Sequence, residues 1–241
     1  MSDLQRWWAS LPLVTKWLFV GSMGLTLAAH FGLVSPYLLI LDWDKVIRNF
    51  QLWRLVTCFL FHGRLGFPFL IHMLFLVRYG AALETSIFGG RLSDFLYMIT
   101  VSCLLLLLGG YLLDAMILGM GLIMVLIYYW SRKNPDVQMS FMFGLRFKAA
   151  YFPWVLIGFN ILLGGWPLLE FVGVVVGHFY YFFNDVYPLV SGIQILKTPQ
   201  IFYQLVPPEY NSWAPQQAQQ ARQAGPQRNY FGGQGYTLGH Q

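Results

Sequence analysis

The longest nearly uncharged stretch of this chain runs from Phe95 to Trp130 and carries one formal charge, at Asp114. A single helix rising about 1.5 Å per residue over this stretch would greatly exceed the roughly 30 Å hydrocarbon layer of a bilayer. The stretch therefore predicts two membrane spans that reverse at Asp114. The first would end near Leu113 and the second would begin near Met116.

The composition also indicates a membrane protein. The 241 residues are 57% hydrophobic and only 10% charged, well below the roughly 25% charge of a soluble domain. The net charge of +5 comes from cations scattered through short loops, which argues against a nucleic-acid partner. Cys58 and Cys103 form neither a disulfide framework nor a metal site, so we expect no metal and no cofactor.

The hydrophobic pattern predicts an all-α membrane protein whose membrane domain, residues 17–184, is a six-span helical bundle. The residues between the first two spans suit a loop lying in the membrane interface. Their charged side chains oppose burial in the hydrocarbon layer, and their aromatic side chains favour the interface. Spans five and six are short for a bilayer, which favours tilt, partial insertion or local thinning. The six predicted spans are Trp17–Val34, Phe69–Leu83, Phe95–Leu113, Met116–Trp130, Tyr151–Leu163 and Leu168–Asn184.

Positive charge predicts the orientation of this bundle. Eleven of the fifteen lysines and arginines fall on the side of the two termini, which places both termini in the cytosol. Residues 1–16 would form a cytosolic interfacial segment, and residues 185–208 would form a juxtamembrane segment. Residues 209–241 are rich in Gln, Gly and Pro, so we expect a disordered cytosolic tail. The opposite side carries Lys45, Arg48, Arg54 and Arg64.

Two glycines and a histidine single out the sixth span. Gly173 and Gly177 are four residues apart, so they share one helix face where another backbone can approach closely. His178 follows directly, and an ionisable group at membrane depth is costly. The glycines predict helix packing or a gate. His178 either lies at the edge of an active site or makes a structural contact.

Once the order of the elements is considered, the chain resembles the rhomboid superfamily. The interfacial loop carries Trp53 and Arg54, a WR pair that could anchor the loop through its guanidinium and indole. The second span ends in an ALE-like motif at Glu84, and the sixth carries the glycines. The most similar branch is the Derlin family, through FQLWRLVT, LETSIFGGRLSDFLYM, SFMFGLRFKAAYFPWVLIGFN and VGHFYYFF.

The chain lacks the nucleophile of a rhomboid protease. The family uses a serine in a GxSG motif on span four, but residues 104–129 contain no serine, threonine or cysteine. Gly119 and Gly121 occupy this region, and a glycine has no group that a base could activate. The resemblance places the family's catalytic histidine near Glu170 and its oxyanion asparagine at His72. We therefore expect no catalytic residue, and an intramembrane serine protease and a small-solute transporter stand as the alternative functions.

The C-terminal tail carries a candidate binding motif. Its sequence FGGQGYTL resembles the SHP box, through which Derlins bind the valosin-containing AAA+ segregase. Glycines let such a strand lie against a sheet or groove while its apolar side chains fill pockets. The motif residues are Phe231, Gly233, Gly235, Tyr236 and Leu238.

The resemblance to Derlins also implies a cellular role. Derlins act in the endoplasmic-reticulum membrane, where misfolded client proteins are moved to the cytosol for degradation. The expected partners are the segregase, a membrane ubiquitin ligase complex, client proteins and a second copy of the chain. By analogy, spans two and six and the WR loop would form a lateral opening, and His178, Asn160 and Asn184 could line a hydrated cavity.

Overall fold

The computed structural model describes residues 3–141 and 144–211, and this part of the chain is mostly helical. One two-stranded antiparallel hairpin, β1 (Gln138–Phe141) with β2 (Leu145–Lys148), is the only sheet among these residues. Short π-helical turns continue α6 and α10, over Leu83–Ile87 and Phe182–Val186. The helices are α1 (Asp3–Ser10), α2 (Leu13–His30), α3 (Pro36–Leu39), α4 (Trp43–Asn49), α5 (Arg54–Leu60), α6 (Phe67–Ala82), α7 (Leu92–Leu112), α8 (Gly119–Lys133), α9 (Phe152–Leu162), α10 (Leu168–Tyr181), α11 (Tyr187–Ser191) and α12 (Gln200–Leu205).

Two helical runs in the described residues are long and apolar enough to cross a bilayer, Phe67–Ile87 and Leu92–Leu112. A third apolar run, Ala149–Leu162, is shorter. The predicted reversal at Asp114 is present. α7 ends at Leu112, Asp114 adopts a left-handed backbone with φ of 53°, and α8 begins at Gly119.

Helix α8 lies at the centre of the fold. Every residue from Gly121 to Tyr129 is buried, and α8 packs against α6, α7, α9 and α10. A helix that is apolar all round is stable where it is surrounded by other helices, which explains the uninterrupted run of Leu, Ile, Met and Val in this segment. These four helices are therefore arranged around α8.

A carboxylate on the π-helical turn after α6 fixes the start of α2. Glu84 accepts hydrogen bonds from the backbone N–H groups of Val14 and Thr15 at 2.9 and 2.8 Å. The Thr15 hydroxyl donates to the same carboxylate at 2.8 Å. The first N–H groups of a helix have no partner within the helix, and an anion there also interacts favourably with the helix dipole. Glu84 thus joins α2 to α6.

The hairpin was not predicted from the sequence. Met139 pairs with Phe147 across the two strands, and both side chains pack onto the core. Gly144, with φ of 76°, lies just before β2, in a backbone conformation that favours glycine. The charged residues Arg146 and Lys148 are exposed. The four-residue strands are too short to give a clear alternating pattern in the sequence.

Two helix ends differ from the predicted boundaries. α2 begins at Leu13, four residues before the predicted start of the first span at Trp17. The sixth predicted span ends at Asn184, but the helical run continues through α11 to Ser191. Asn184 and Asp185 lie within this helical run and line a polar cavity. Gly192, with φ of 72°, ends the run.

The segment that follows α11 folds back onto the first turn of α7. Asn211 accepts a hydrogen bond from the Ser93 N–H at 3.1 Å and donates to the Ser93 hydroxyl at 2.8 Å. The Ser93 hydroxyl donates to the Phe202 carbonyl at 2.9 Å, and the Tyr203 hydroxyl donates to Asp94 at 2.6 Å. Because Asn211 and Ser93 are both buried, these bonds hold the segment firmly.

Candidate functional site

Arg54 of the predicted WR pair lies inside the interfacial loop. It is 1% exposed, and its Nη1 atom donates to the carbonyls of Tyr37 and Ile40 at 2.6 and 2.8 Å. Its Nε atom donates to the Gln51 side chain at 2.7 Å. A buried guanidinium is costly unless its donors are satisfied, and these three bonds supply partners.

Two further side chains of the same segment also donate hydrogen bonds to the carbonyls at the end of α3. The Trp53 indole donates to the Leu38 carbonyl at 3.3 Å, and the Thr57 hydroxyl donates to the Leu39 carbonyl at 2.8 Å. Trp53, Arg54 and Thr57 therefore satisfy the four consecutive carbonyls of residues 37–40. These groups end the short helix α3 and have no partner within it. The Trp53 ring remains 51% exposed.

The glycines of α10 face α8. A Cβ atom added to Gly173 would lie 2.5 Å from the Gly121 carbonyl oxygen and 2.7 Å from the Met124 Cβ. A Cβ atom on Gly177 would lie 3.0 Å from the Tyr128 Cβ. The two helices approach closely because both glycines lack a side chain. Since α8 occupies this face, it is not open to a second copy of the chain or to α6.

His178 lies on the exposed side of α10. Its Nδ1 atom and the Tyr128 hydroxyl are 2.7 Å apart, and the two rings form an edge-on pair. Because these residues come from α10 and α8, the bond adds a polar contact to the close packing at Gly177. The described residues offer no serine or cysteine hydrogen-bonded to His178.

The ring of His62, from the loop before α6, lies against Gly119 at the start of α8. A Cβ atom added to Gly119 would lie 2.5 Å from the His62 Cε1 atom and 2.7 Å from the Phe59 carbonyl oxygen. His62 and His72 are neighbours, with ring centroids 5.6 Å apart. Their Nδ1 atoms are buried and have no hydrogen-bond partner within residues 3–141 and 144–211. Neither Nδ1 atom therefore contacts a hydroxyl or thiol group among the described residues.

A cavity of about 440 Å³ opens between α6 and α9. Its walls are mainly apolar, and His72 and Arg78 contribute polar groups from α6. Glu170, on the first turn of α10, also lines it and accepts a short hydrogen bond from the Asn160 amide. Glu170 is only 7% exposed and makes no ion pair within the described residues. The sequence placed Glu170 near a catalytic position, but its pairing with Asn160 became visible only in the structure.

The three residues expected to line one hydrated cavity are not brought together. Asn160 lines the opening between α6 and α9. Asn184 lines a separate cavity of about 670 Å³ next to the C-terminal segment. His178 is bonded to Tyr128 instead. The predicted SHP-box residues, Phe231, Gly233, Gly235, Tyr236 and Leu238, lie outside the described residues.

Comparison with known proteins decides the family. The Der1-like family matches residues 11–200. Human Derlin-1 is 37% identical over 211 residues, which cover 86% of this chain and 84% of that protein. Maize Derlin-2.1 is 38% identical over 207 residues, which cover 81% of this chain and 83% of that protein. This chain belongs to the Der1-like family.

The resemblance to Derlins noted from the sequence motifs is thereby confirmed. Membership of the Der1-like family, together with the apolar helices, identifies the chain as a membrane protein. The family match covers the loop around Arg54, the contact between α8 and α10, and the cavity between α6 and α9. These regions therefore lie within the matched range, whereas residues 231–238 lie beyond it.

Proposed function

We propose that this Der1-like chain is a non-catalytic component of endoplasmic-reticulum-associated degradation that helps to move misfolded proteins to the cytosol. It would lie in the endoplasmic-reticulum membrane as a six-span bundle with both termini in the cytosol. Family membership is the observation that carries this proposal. The charge bias of the loops supports the orientation.

The lack of an active site supports a role without bond cleavage. The sequence has no serine, threonine or cysteine over residues 104–129, and His62 fills the space beside Gly119. His178, which follows the glycines of α10, contacts a phenol rather than a nucleophile. A histidine without a nucleophile cannot carry out acyl transfer.

The cavity between α6 and α9 is the part of the molecule best suited to receive a client. It combines apolar walls with the Glu170 and Asn160 pair, so it offers both an apolar surface and hydrogen-bonding groups. The loop anchored by Arg54 directly precedes α6 in the chain. We propose that a client segment passes along this opening.

The driving force for movement would come from a partner. The sequence contains no GxxxxGK[ST] nucleotide motif. We propose that Phe231, Tyr236 and Leu238 bind the valosin-containing AAA+ segregase, while a membrane ubiquitin ligase complex marks the client. The match to F-x-G-x-G-φ-x-L, with φ an apolar residue, supports the first partner.

A pull-down from solubilised membranes tests the tail motif. The double variant Phe231→Ala with Leu238→Ala should lose the segregase, because both side chains are expected to fill its pockets. Tyr230→Ala, which removes the aromatic residue just before the motif, is the matched control and should retain it. If the double variant binds as well as the control does, the assignment of the motif is wrong.

Client turnover tests the membrane part of the proposal separately. A pulse-chase of a misfolded membrane protein in cells lacking the endogenous family member should show degradation with the full chain. Phe159→Trp, which narrows the cavity from the α9 side, should slow that degradation while segregase binding is unchanged. Equal turnover with and without the chain would contradict a role in degradation.

A further inference from the structure

The cavity of about 440 Å³ between α6 and α9 is bordered by a buried acid that has no cation partner. Glu170 is 7% exposed, and its Oε1 atom accepts from the Asn160 amide. Its own backbone N–H also interacts with the carboxylate. No ion pair joins Glu170 to a basic residue among residues 3–141 and 144–211. Neutral donors orient a carboxylate, but they leave its charge uncompensated.

The Glu170 carboxylate lies at the wall of this cavity. Glu170 and Asn160 both border the cavity, and the bond between them joins their side chains. The two oxygens of a carboxylate offer about four acceptor positions, more than the two neutral donors occupy. The group can therefore accept a further donor that enters from the cavity.

Arg78 is the cationic side chain among the described residues that border the same cavity. It is exposed, its Cζ atom lies 5.8 Å from the centre of the Tyr79 ring, and it makes no ion pair with Glu170. The long stem of an arginine lets an exposed guanidinium reach water or lipid phosphates at the membrane interface. The buried Glu170 therefore gains more from a new partner of opposite charge than Arg78 does.

The volume of the cavity limits what can enter it. A helix of about 10–12 Å diameter fills roughly 500 Å³ per turn, so a cavity of this size accepts a few side chains rather than a whole helix. Three apolar residues that border the cavity, Phe67, Leu74 and Leu163, are 65%, 56% and 73% exposed. A client helix can pack against these residues while some of its side chains enter the cavity.

We propose, building on the client-binding role proposed above, that this cavity selects clients whose transmembrane segment carries an unpaired lysine or arginine. The basic side chain enters the cavity and pairs with the Glu170 carboxylate, while the apolar residues of the segment contact Leu74 and Leu163. Basic residues within a membrane normally pair with an acid or a carbonyl of a neighbouring helix. A basic residue without such a partner therefore distinguishes an unassembled membrane protein from an assembled one.

Photo-crosslinking in membranes tests this selectivity on the full chain, with a photoreactive amino acid at position 74. The clients are single-span segments that differ at one residue, which is leucine, lysine or glutamate, placed in turn at successive positions of one helical turn. The best lysine client should crosslink about tenfold more than the leucine client and the glutamate client. Equal crosslinking of lysine and leucine clients overturns the selectivity but leaves the cavity as a client path. No crosslinking of any client overturns both.

Variants test whether Glu170 is the selecting group. Glu170→Gln keeps the size of the side chain and an acceptor for Asn160 but removes the charge, so it should reduce crosslinking of the lysine client about tenfold, to the level of the leucine client. Glu209→Gln, the same change at an exposed glutamate outside the cavity, is the matched control and should keep the preference. Arg78→Gln should also keep it. An unchanged preference in Glu170→Gln, or its loss in Arg78→Gln, overturns the assignment.

Charge reversal and client turnover provide independent readouts. Glu170→Lys should crosslink the glutamate client more than the lysine client, and the Glu170→Gln result remains decisive if this variant does not fold. In a pulse-chase, Glu170→Gln should slow degradation of the lysine client and leave that of the leucine client unchanged. Equal slowing of both clients would indicate a structural role for Glu170 and overturn the proposal. Turnover of the leucine client with and without the chain tests the proposed function apart from this selectivity.

Discussion

Glu84 and Thr15 are joined by two hydrogen bonds, because both the backbone N–H and the hydroxyl of Thr15 donate to the Glu84 carboxylate at 2.8 Å. The two residues are 69 positions apart in the chain. This contact links the N-terminus of α2 to the end of α6 and gives the glutamate of the ALE-like motif a structural role.

Removing this carboxylate should destabilise the membrane domain. Glu84→Ala leaves the N–H groups of Val14 and Thr15 unsatisfied, which should cost about 2–3 kcal/mol of unfolding free energy. Glu84→Gln keeps one acceptor and should cost less. Thermal unfolding in detergent measures both, and Glu209→Ala, at an exposed glutamate, is the control. Similar unfolding temperatures for Glu84→Ala and Glu209→Ala would contradict the structural role.

Arg54 should tolerate no substitution. Lysine lacks the planar fork that reaches the Tyr37 carbonyl, the Ile40 carbonyl and Gln51, so Arg54→Lys should cost roughly 2–4 kcal/mol. Arg48→Ala is the control, because Arg48 is exposed and its 3.6 Å pair with Asp44 is worth less than about 1 kcal/mol. Unfolding temperatures measure the difference. A wild-type value for Arg54→Lys would show that the carbonyl contacts do not hold the loop.

The glycines of α10 and α9 should respond differently to alanine. Gly173→Ala forces a Cβ to within 2.5 Å of the Gly121 carbonyl oxygen, and overpacking of this kind costs about 1–3 kcal/mol. Gly158→Ala, on α9, meets nothing within 4 Å and should be neutral or stabilising. The measurement is the unfolding temperature of each variant. Equal effects would mean that α8 and α10 are not closely packed at Gly173.

Restoring a serine should not create a protease. Gly119→Ser places a Cβ 2.5 Å from the His62 ring, so we expect loss of stability of about 1–3 kcal/mol and no cleavage of a model transmembrane substrate. Gly119→Ser with His62→Ala relieves the contact with His62 but not the one with the Phe59 carbonyl, so it should recover part of the stability, still without cleavage. Cleavage by either variant would show that the site retains its catalytic geometry.

The contact between the C-terminal segment and α7, through Tyr203 and Asp94, should weaken at high pH. Burial, followed by the hydrogen bond to Asp94, raises the pKa of Tyr203 to about 12 from its usual value near 10. The phenol is therefore protonated and donates to Asp94 below about pH 10, and this stabilising effect is lost as the pH rises towards 12. The rate of amide hydrogen exchange in residues 200–210 measures how strongly this segment is held against α7. In the Tyr203→Phe variant, these amides should exchange faster at neutral pH, and their exchange should change less between pH 10 and 12.

The sequence predicted the helical class, the reversal at Asp114 and the family. Long apolar runs and motif spacing can be recognised in the sequence without knowledge of tertiary contacts. It did not predict the hairpin, since its strands are only four residues long. Asn211 falls in the predicted disordered tail, residues 209–241, next to the predicted juxtamembrane segment, residues 185–208. Its bonds to Ser93 span 118 residues, a separation that no local pattern encodes. Glu170 and Asn160 stood out as polar residues, but only the fold shows that they pair.

The four carbonyls of residues 37–40 are held by three side chains of one short segment, Trp53, Arg54 and Thr57. Because the three donors belong to one short segment, displacement of that segment breaks all of these bonds together. The loop from residue 37 to residue 57 should therefore unfold and refold as one cooperative unit. Its amides should share a single opening free energy, separate from that of the helices on either side.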